Sequence, residues 1–81
     1  MPVTNVYVNR RQERALCQDY ISLWGRGKVT NGYEIAGEIK ARYGVHVDWH
    51  TASDALETRA SEGLAEHAGS GPDRCQQYRV F

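Results

Sequence analysis

Residues 28–64 decide the fold, and they read KVTNGYEIAGEIKARYGVHVDWHTASDALETRASEGL. Asn31 is a favourable helix N-cap, and Glu34 follows it at the spacing of a capping box. Apolar side chains then recur at helical spacing until Gly44, a residue type that commonly ends a helix. The pattern predicts a helix of about three turns with apolar positions at Tyr33, Ile35, Ala36, Ile39 and Tyr43.

A second helix follows within the same stretch. Thr51 and Asp54 repeat the capping-box spacing, which predicts a helix over residues 52–62 that ends at Gly63. Its apolar positions are mostly alanines, so its buried stripe is thin. In the preceding helix, the small residue Gly37 and its neighbour Ala36 predict a place where another helix approaches closely.

Upstream, the sequence predicts a short strand and a longer helix. Residues 3–8 contain β-branched and aromatic side chains, which favour a strand. Asn9 and Gln12 form another capping-box pair ahead of an apolar helical stripe over residues 10–24. The glycine-rich sequence at 25–27 ends that helix.

Downstream, the sequence predicts a β-hairpin. Residues 64–68 and 75–81 can form strands, and the intervening sequence GSGPD at 69–73 is a strong turn signal. Large apolar groups at helical or strand spacing predict the core, which comprises Leu16, Tyr20, Trp24, Ile35, Ile39, Leu56, Leu64 and Tyr78.

Three phrases, in order and at the right spacing, resemble the winged helix-turn-helix family. They are GYEIA at 32–36, TASDAL at 51–56 with Gly63 and Leu64 beyond it, and QYRV at 77–80. The resemblance covers residues 10–81. It implies one α+β domain over residues 1–81, with three helices and a C-terminal two-stranded β-hairpin wing, preceded by an N-terminal arm or short strand at 1–9.

The resemblance also implies duplex DNA as the partner, because the third helix of a helix-turn-helix lies in the major groove. By position, the residues expected to read bases are Trp49, His50, Thr51, Ser53, Asp54 and Thr58. The residues expected to contact phosphates are Arg26, Lys28, Lys40, Arg42, Arg74 and Arg79. The short chain resembles stand-alone transcriptional regulators of phages or bacteria, and a homodimer remains open.

The charge balance keeps a second function open. The chain has ten basic and ten acidic residues, whereas DNA-binding proteins usually carry a basic excess. Up to Tyr43 there are seven basic and four acidic side chains, a balance of +3, and the remainder carries −3. A basic face is therefore compatible with the sequence. The alternative is a winged-helix adaptor that binds another protein through Trp49 and the acidic third helix, without binding DNA.

Other classes of function find little support in the sequence. There is no secretory signal and no apolar run long enough for a membrane span, which predicts a cytoplasmic protein, at the nucleoid or in the host cell of a phage. Cys17 and Cys75 are expected to be reduced thiols. His46 and His50 alone are too few for a metal site. We expect no cofactor and no enzymatic activity, since phosphate-binding loops and nucleophile–base pairs are missing.

Overall fold

A computed structural model describes residues 6–71 and 75–81 of the chain. Three helices form its larger part: α1 (Arg10–Tyr20), which continues into a π-helical segment (Ile21–Gly25), α2 (Gly32–Tyr43) and α3 (Trp49–Ser61). Five strands join them: β1 (Val6–Tyr7), β2 (Val29–Thr30), β3 (Val45–His46), β4 (Ala65–Ser70) and β5 (Gln76–Val80). The structure is therefore α+β, as the sequence predicts.

The helices begin at side-chain caps, two of which the sequence predicts correctly. The Asn9 side chain and Gln12 form the complete capping box of α1, and the Asn31 side chain accepts from the Glu34 backbone N–H at the start of α2. The third helix is present, but its predicted cap is wrong. Asp48, not Thr51, is the N-cap: its carboxylate accepts from the His50 backbone N–H at 2.8 Å, so the helix starts three residues earlier.

The predicted C-terminal hairpin is present and belongs to a larger sheet. Strands β4 and β5 pair antiparallel, and β2 adds to the other side of β5, which gives the order β2-β5-β4. The hairpin closes through a hydrogen bond from the Gly71 N–H to the Cys75 carbonyl (2.7 Å), while Pro72 and Asp73 of the predicted turn lie outside the described residues. A separate parallel pair joins β1 to β3.

The core lies between the three helices and the inner face of the three-stranded sheet. Five predicted core residues are buried, and Leu16 is partly buried against them; the five are Tyr20, Ile35, Ile39, Leu56 and Tyr78. Trp24 and Leu64 are exposed instead, contrary to the prediction. Trp24 lies in the π-helical segment, whose wider turn changes the helical register. Leu64 precedes the buried Ala65, so strand alternation directs it to the opposite face of the sheet.

The close approach of α2 to α3 occurs at Gly32 rather than at Gly37. A Cβ atom at Gly32 would lie 2.6 Å from the Trp49 carbonyl oxygen and 3.0 Å from the Ser53 backbone nitrogen. A Cβ atom at Gly37 would meet nothing within 4 Å. The first residue of α2 therefore rests on the first turns of α3 and fixes how the two helices cross.

Candidate nucleic-acid interface

One face of α3 is polar and open to solvent. His50, Asp54 and Thr58 follow one another at intervals of four residues and are all exposed, so they form a single stripe along the helix. The opposite side of α3 is buried in the core, through Ala52, Ala55 and Leu56. We call His50, Asp54 and Thr58 the α3 stripe. Its residues were all among the predicted base-reading residues.

Two other residues predicted to read bases lie off the α3 stripe. Thr51 is only 3% exposed, so its hydroxyl faces the interior and not a ligand. Ser53 is half-buried, because its side chain lies beside Gly32 at the crossing of α2 and α3. Of the six residues predicted to read bases, Trp49 and the three members of the α3 stripe are therefore the exposed ones.

The first turn of α3 is held in place by its cap. The Asp48 carboxylate accepts from the His50 backbone N–H and also contacts the His50 ring, with 2.9 Å between Oδ1 and Nδ1. The hydrogen bond from the His50 backbone N–H, followed by that from its ring, lowers the pKa of the Asp48 carboxyl. Since a carboxylate only accepts, Nδ1 is the protonated ring nitrogen, which leaves Nε2 of His50 to meet a ligand.

Three aromatic rings stack at this end of α3. The Tyr33 and Trp49 rings lie 4.4 Å apart at 21°, and the Trp49 and His50 rings lie 3.7 Å apart at 28°. Tyr33 and Trp49 line two hollows. One is a groove of about 570 Å³ that also includes Lys40, and the other is a cleft of about 300 Å³ that includes Cys75. Lys40 is thus the predicted phosphate ligand that the fold brings beside Trp49 and His50.

A basic side chain on α1 flanks the α3 stripe from the other side. Arg14 and Gln18 line a hollow of about 380 Å³ together with Asp54 and Thr58. Gln18 also fixes the two helices to each other, because its Nε2 donates to the Ala55 carbonyl at 3.1 Å. Arg14 was not among the predicted site residues, since only the packing of α1 against α3 brings it to this face.

A hydrogen-bonded clasp joins α3 to the hairpin. The Glu57 carboxylate oxygen Oε2 accepts from the Tyr78 hydroxyl at 2.6 Å and contacts Nε2 of His67 at 2.9 Å. These two contacts, with Tyr78 first, lower the pKa of the Glu57 carboxyl. Burial, followed by the hydrogen bond to Glu57, raises the pKa of Tyr78 to about 12. The clasp holds the hairpin beside the α3 stripe, and no sequence signal pointed to it.

The remaining predicted phosphate ligands lie elsewhere. The Arg42 guanidinium stacks over the Trp24 ring at 4.2 Å, at the C-terminal end of α2. The Lys28 carbonyl accepts from the Val80 N–H, and Val80 pairs with Ala65, which follows α3 in the chain. Lys28 therefore lies beyond the C-terminal end of α3, and Arg26 is near it in sequence. Two further predicted ligands complete the set: Arg79 is paired with Glu66, and Arg74 lies outside the described residues.

Two other features are absent from residues 6–71 and 75–81. Within these ranges, no group of three or more His, Cys, Asp or Glu side chains is arranged to hold a metal ion. Over the same part of the chain, no helix combines the length and the apolar character that crossing a membrane requires.

Comparison of the sequence with protein-family models and with curated proteins gives no match. Among solved structures, the chain is similar to Pex from Synechococcus sp. (strain PCC 7942), with a TM-score of 0.61 and 17% sequence identity. The similarity covers 94% of this chain and 69% of the Pex chain. At this level of identity, the comparison shows a related fold and nothing about function.

Proposed function

We propose that this protein is a winged-helix DNA-binding regulator that reads duplex DNA with α3. Support comes first from the order of elements, in which a helix and a short strand precede two helices and a hairpin. The three-stranded sheet, with β2 beside the hairpin, agrees with such a fold. In this proposal, α2 and α3 are the helix-turn-helix and β4–β5 is the wing.

The α3 stripe is the observation that carries the proposal. An α-helix fits the major groove of B-DNA, and it reads bases with polar side chains on its exposed face. His50, Asp54 and Thr58 form such a face, since the opposite face of α3 anchors the helix in the core. Lys40 and Arg14 lie at its flanks, where the phosphates of a bound duplex would pass.

The acidic residues of α3 have separate roles in this proposal. Glu57 is occupied by Tyr78 and His67 and so belongs to the clasp. Asp54 is exposed on the α3 stripe, where a carboxylate can accept from the N4 amino group of cytosine. A carboxylate also repels phosphate, so we expect weak non-specific binding and a preference for sites that place cytosine opposite Asp54.

The test is the salt dependence of binding to a short duplex. Two phosphate contacts, by Lys40 and Arg14, predict that log K falls with log salt at a slope of about −2. Lys40→Ala and Arg14→Ala should each reduce the magnitude of that slope by about one unit. Lys28→Ala is the matched control, because Lys28 lies beyond the other end of α3, and its slope should equal that of the wild type. Negligible binding at low salt would refute the proposal.

A specific observation also favours the adaptor alternative. Tyr33 and Trp49 are large, stacked and exposed, and they border the cleft that includes Cys75. Exposed aromatic side chains beside a concave surface are typical of protein-binding sites. The adaptor predicts no shift of DNA at low salt, together with capture of a partner protein that Trp49→Ala abolishes. The same salt titration therefore separates the two functions.

A further inference from the structure

The outer face of the three-stranded sheet is more apolar than its position in the fold requires. The inner face is buried through Thr30, Ala65, Tyr78 and Val80. When one face of an antiparallel sheet covers the core, the other face normally carries polar side chains into water. Here it carries three large apolar side chains, which are Val29 (49% exposed), Leu64 (44%) and Phe81 (51%).

The strand register places these side chains together. Ala65 pairs with Val80, and the Phe81 N–H donates to the Leu64 carbonyl at 3.0 Å, so Leu64 and Phe81 lie opposite each other. Arg79 in β5 lies between Val29 in β2 and Glu66 in β4. Alternation along the strands directs Val29, Glu66 and Arg79 to one side, and the Leu64–Phe81 pair continues this register one residue beyond the ends of β4 and β5. We call this surface the outer-face patch: Val29, Leu64, Glu66, Arg79 and Phe81.

The charges on the outer-face patch indicate what covers it. The patch holds one acid and one base, Glu66 and Arg79, whose own contact is long at 3.4 Å and exposed. A two-fold axis that runs parallel to the strands between Glu66 and Arg79 would place Arg79 of one copy across from Glu66 of the other, so the patch can pair with itself. The Glu66 carboxylate would repel a phosphate backbone. A strongly charged protein surface would not be attracted, because the patch has no net charge of the opposite sign.

We propose that the outer-face patch is the interface of a two-fold homodimer, in which two sheets pack face to face around Leu64 and Phe81. This surface is on the side of the sheet away from α3, since Tyr78 reaches Glu57 from the inner face. The dimer therefore leaves the α3 stripe open, and the inference is independent of DNA binding. Because three apolar side chains supply less than the roughly 800 Å² per partner of a standard interface, the dimer should be weak and concentration-dependent.

Sedimentation equilibrium over a range of protein concentrations tests the proposal. The wild type should pass from monomer to dimer below about 1 mM. Phe81→Asp should raise the dissociation constant at least tenfold, by burying a carboxylate of each copy against Leu64 of the other. Leu23→Asp is the matched control, because Leu23 is 70% exposed on the π-helical segment, and its dissociation constant should match that of the wild type.

Charge reversal distinguishes this interface from a folding defect. Glu66→Arg puts arginines opposite arginines in a symmetric pair, and Arg79→Glu puts glutamates opposite glutamates, so each variant alone should stay monomeric. An equal mixture of the two should form a heterodimer, because one copy then carries two bases and the other two acids. A wild type that remains monomeric at about 1 mM overturns the proposal, as does a mixture that associates no better than its separate components.

Discussion

Adding one methyl group at Gly32 should destabilise the fold by forcing α2 away from α3. The new Cβ atom would lie 2.6 Å from the Trp49 carbonyl oxygen and 3.0 Å from the Ser53 backbone nitrogen. Both are backbone atoms in the first turns of α3. The steric clash can therefore be relieved only if a helix shifts, and a change of rotamer is not enough. Overpacking of this kind costs about 1–3 kcal/mol, and we expect Gly32→Ala to lose that much free energy of unfolding.

Gly37→Ala in the same helix is the matched control. A Cβ atom there meets nothing within 4 Å, and the position is exposed in the middle of α2. Alanine is a better helix former than glycine, so this variant should gain about 0.5–1 kcal/mol.

Urea unfolding followed by circular dichroism measures both changes. With a slope of about 1 kcal/mol per molar urea for a domain of this size, Gly32→Ala should lower the midpoint by about 1–3 M. Gly37→Ala should raise it. The reasoning is refuted if Gly32→Ala unfolds at the wild-type midpoint, or if both substitutions destabilise the protein equally, since helix contact at Gly32 would then not limit packing.

Three further results are expected. Leu56→Ala should lose about 2–5 kcal/mol in the same urea assay, since Leu56 is fully buried, and an unchanged midpoint would contradict the packing described above. A thiol reagent should label Cys75 in the native protein and reach Cys17 only after unfolding, because burial and then Glu13 raise the pKa of the Cys17 thiol to about 12; rapid labelling of both would argue against its enclosure. The pKa of Tyr78 is raised from about 10 in the unfolded chain to about 12 in the folded protein. The neutral hydroxyl therefore contributes its full stability below a pH of about 10. This contribution is lost as the pH rises through about 12. Tyrosinate absorbance, compared with Tyr78→Phe, should show this pKa, and Glu57→Gln should lower it; an unaltered titration in Glu57→Gln would rule out the clasp.

Local signals in the sequence were sufficient to predict where a helix begins when a single residue determines its N-cap. Asn9 and Asn31 each precede an apolar helical stripe at capping-box spacing, and both caps were predicted correctly. At α3, Thr51 was the predicted cap, but the helix begins after Asp48. Packing accompanies the earlier start, because it brings Trp49 onto Tyr33 and buries Thr51.

The candidate site was predictable only in part, for a related reason. The α3 stripe follows from helical spacing once the third helix is recognised through its family resemblance. Arg14 reaches this face only because α1 packs against α3. The clasp of Glu57 with His67 and Tyr78 joins residues 10 and 21 positions apart, which depends on how the hairpin docks. Such contacts are properties of tertiary structure and leave no mark in a single sequence.

Selection from a pool of randomised DNA duplexes shows whether α3 reads bases. If α3 reads bases, the wild type should enrich a defined sequence, and Asp54→Ala should alter the preference at one position of that sequence, where the wild type selects cytosine. Lys28→Ala should select the same sequence as the wild type, since Lys28 lies beyond the far end of α3. DNA binding by α3 is ruled out if no sequence is enriched over bulk DNA and the affinity for duplex DNA at low salt is negligible.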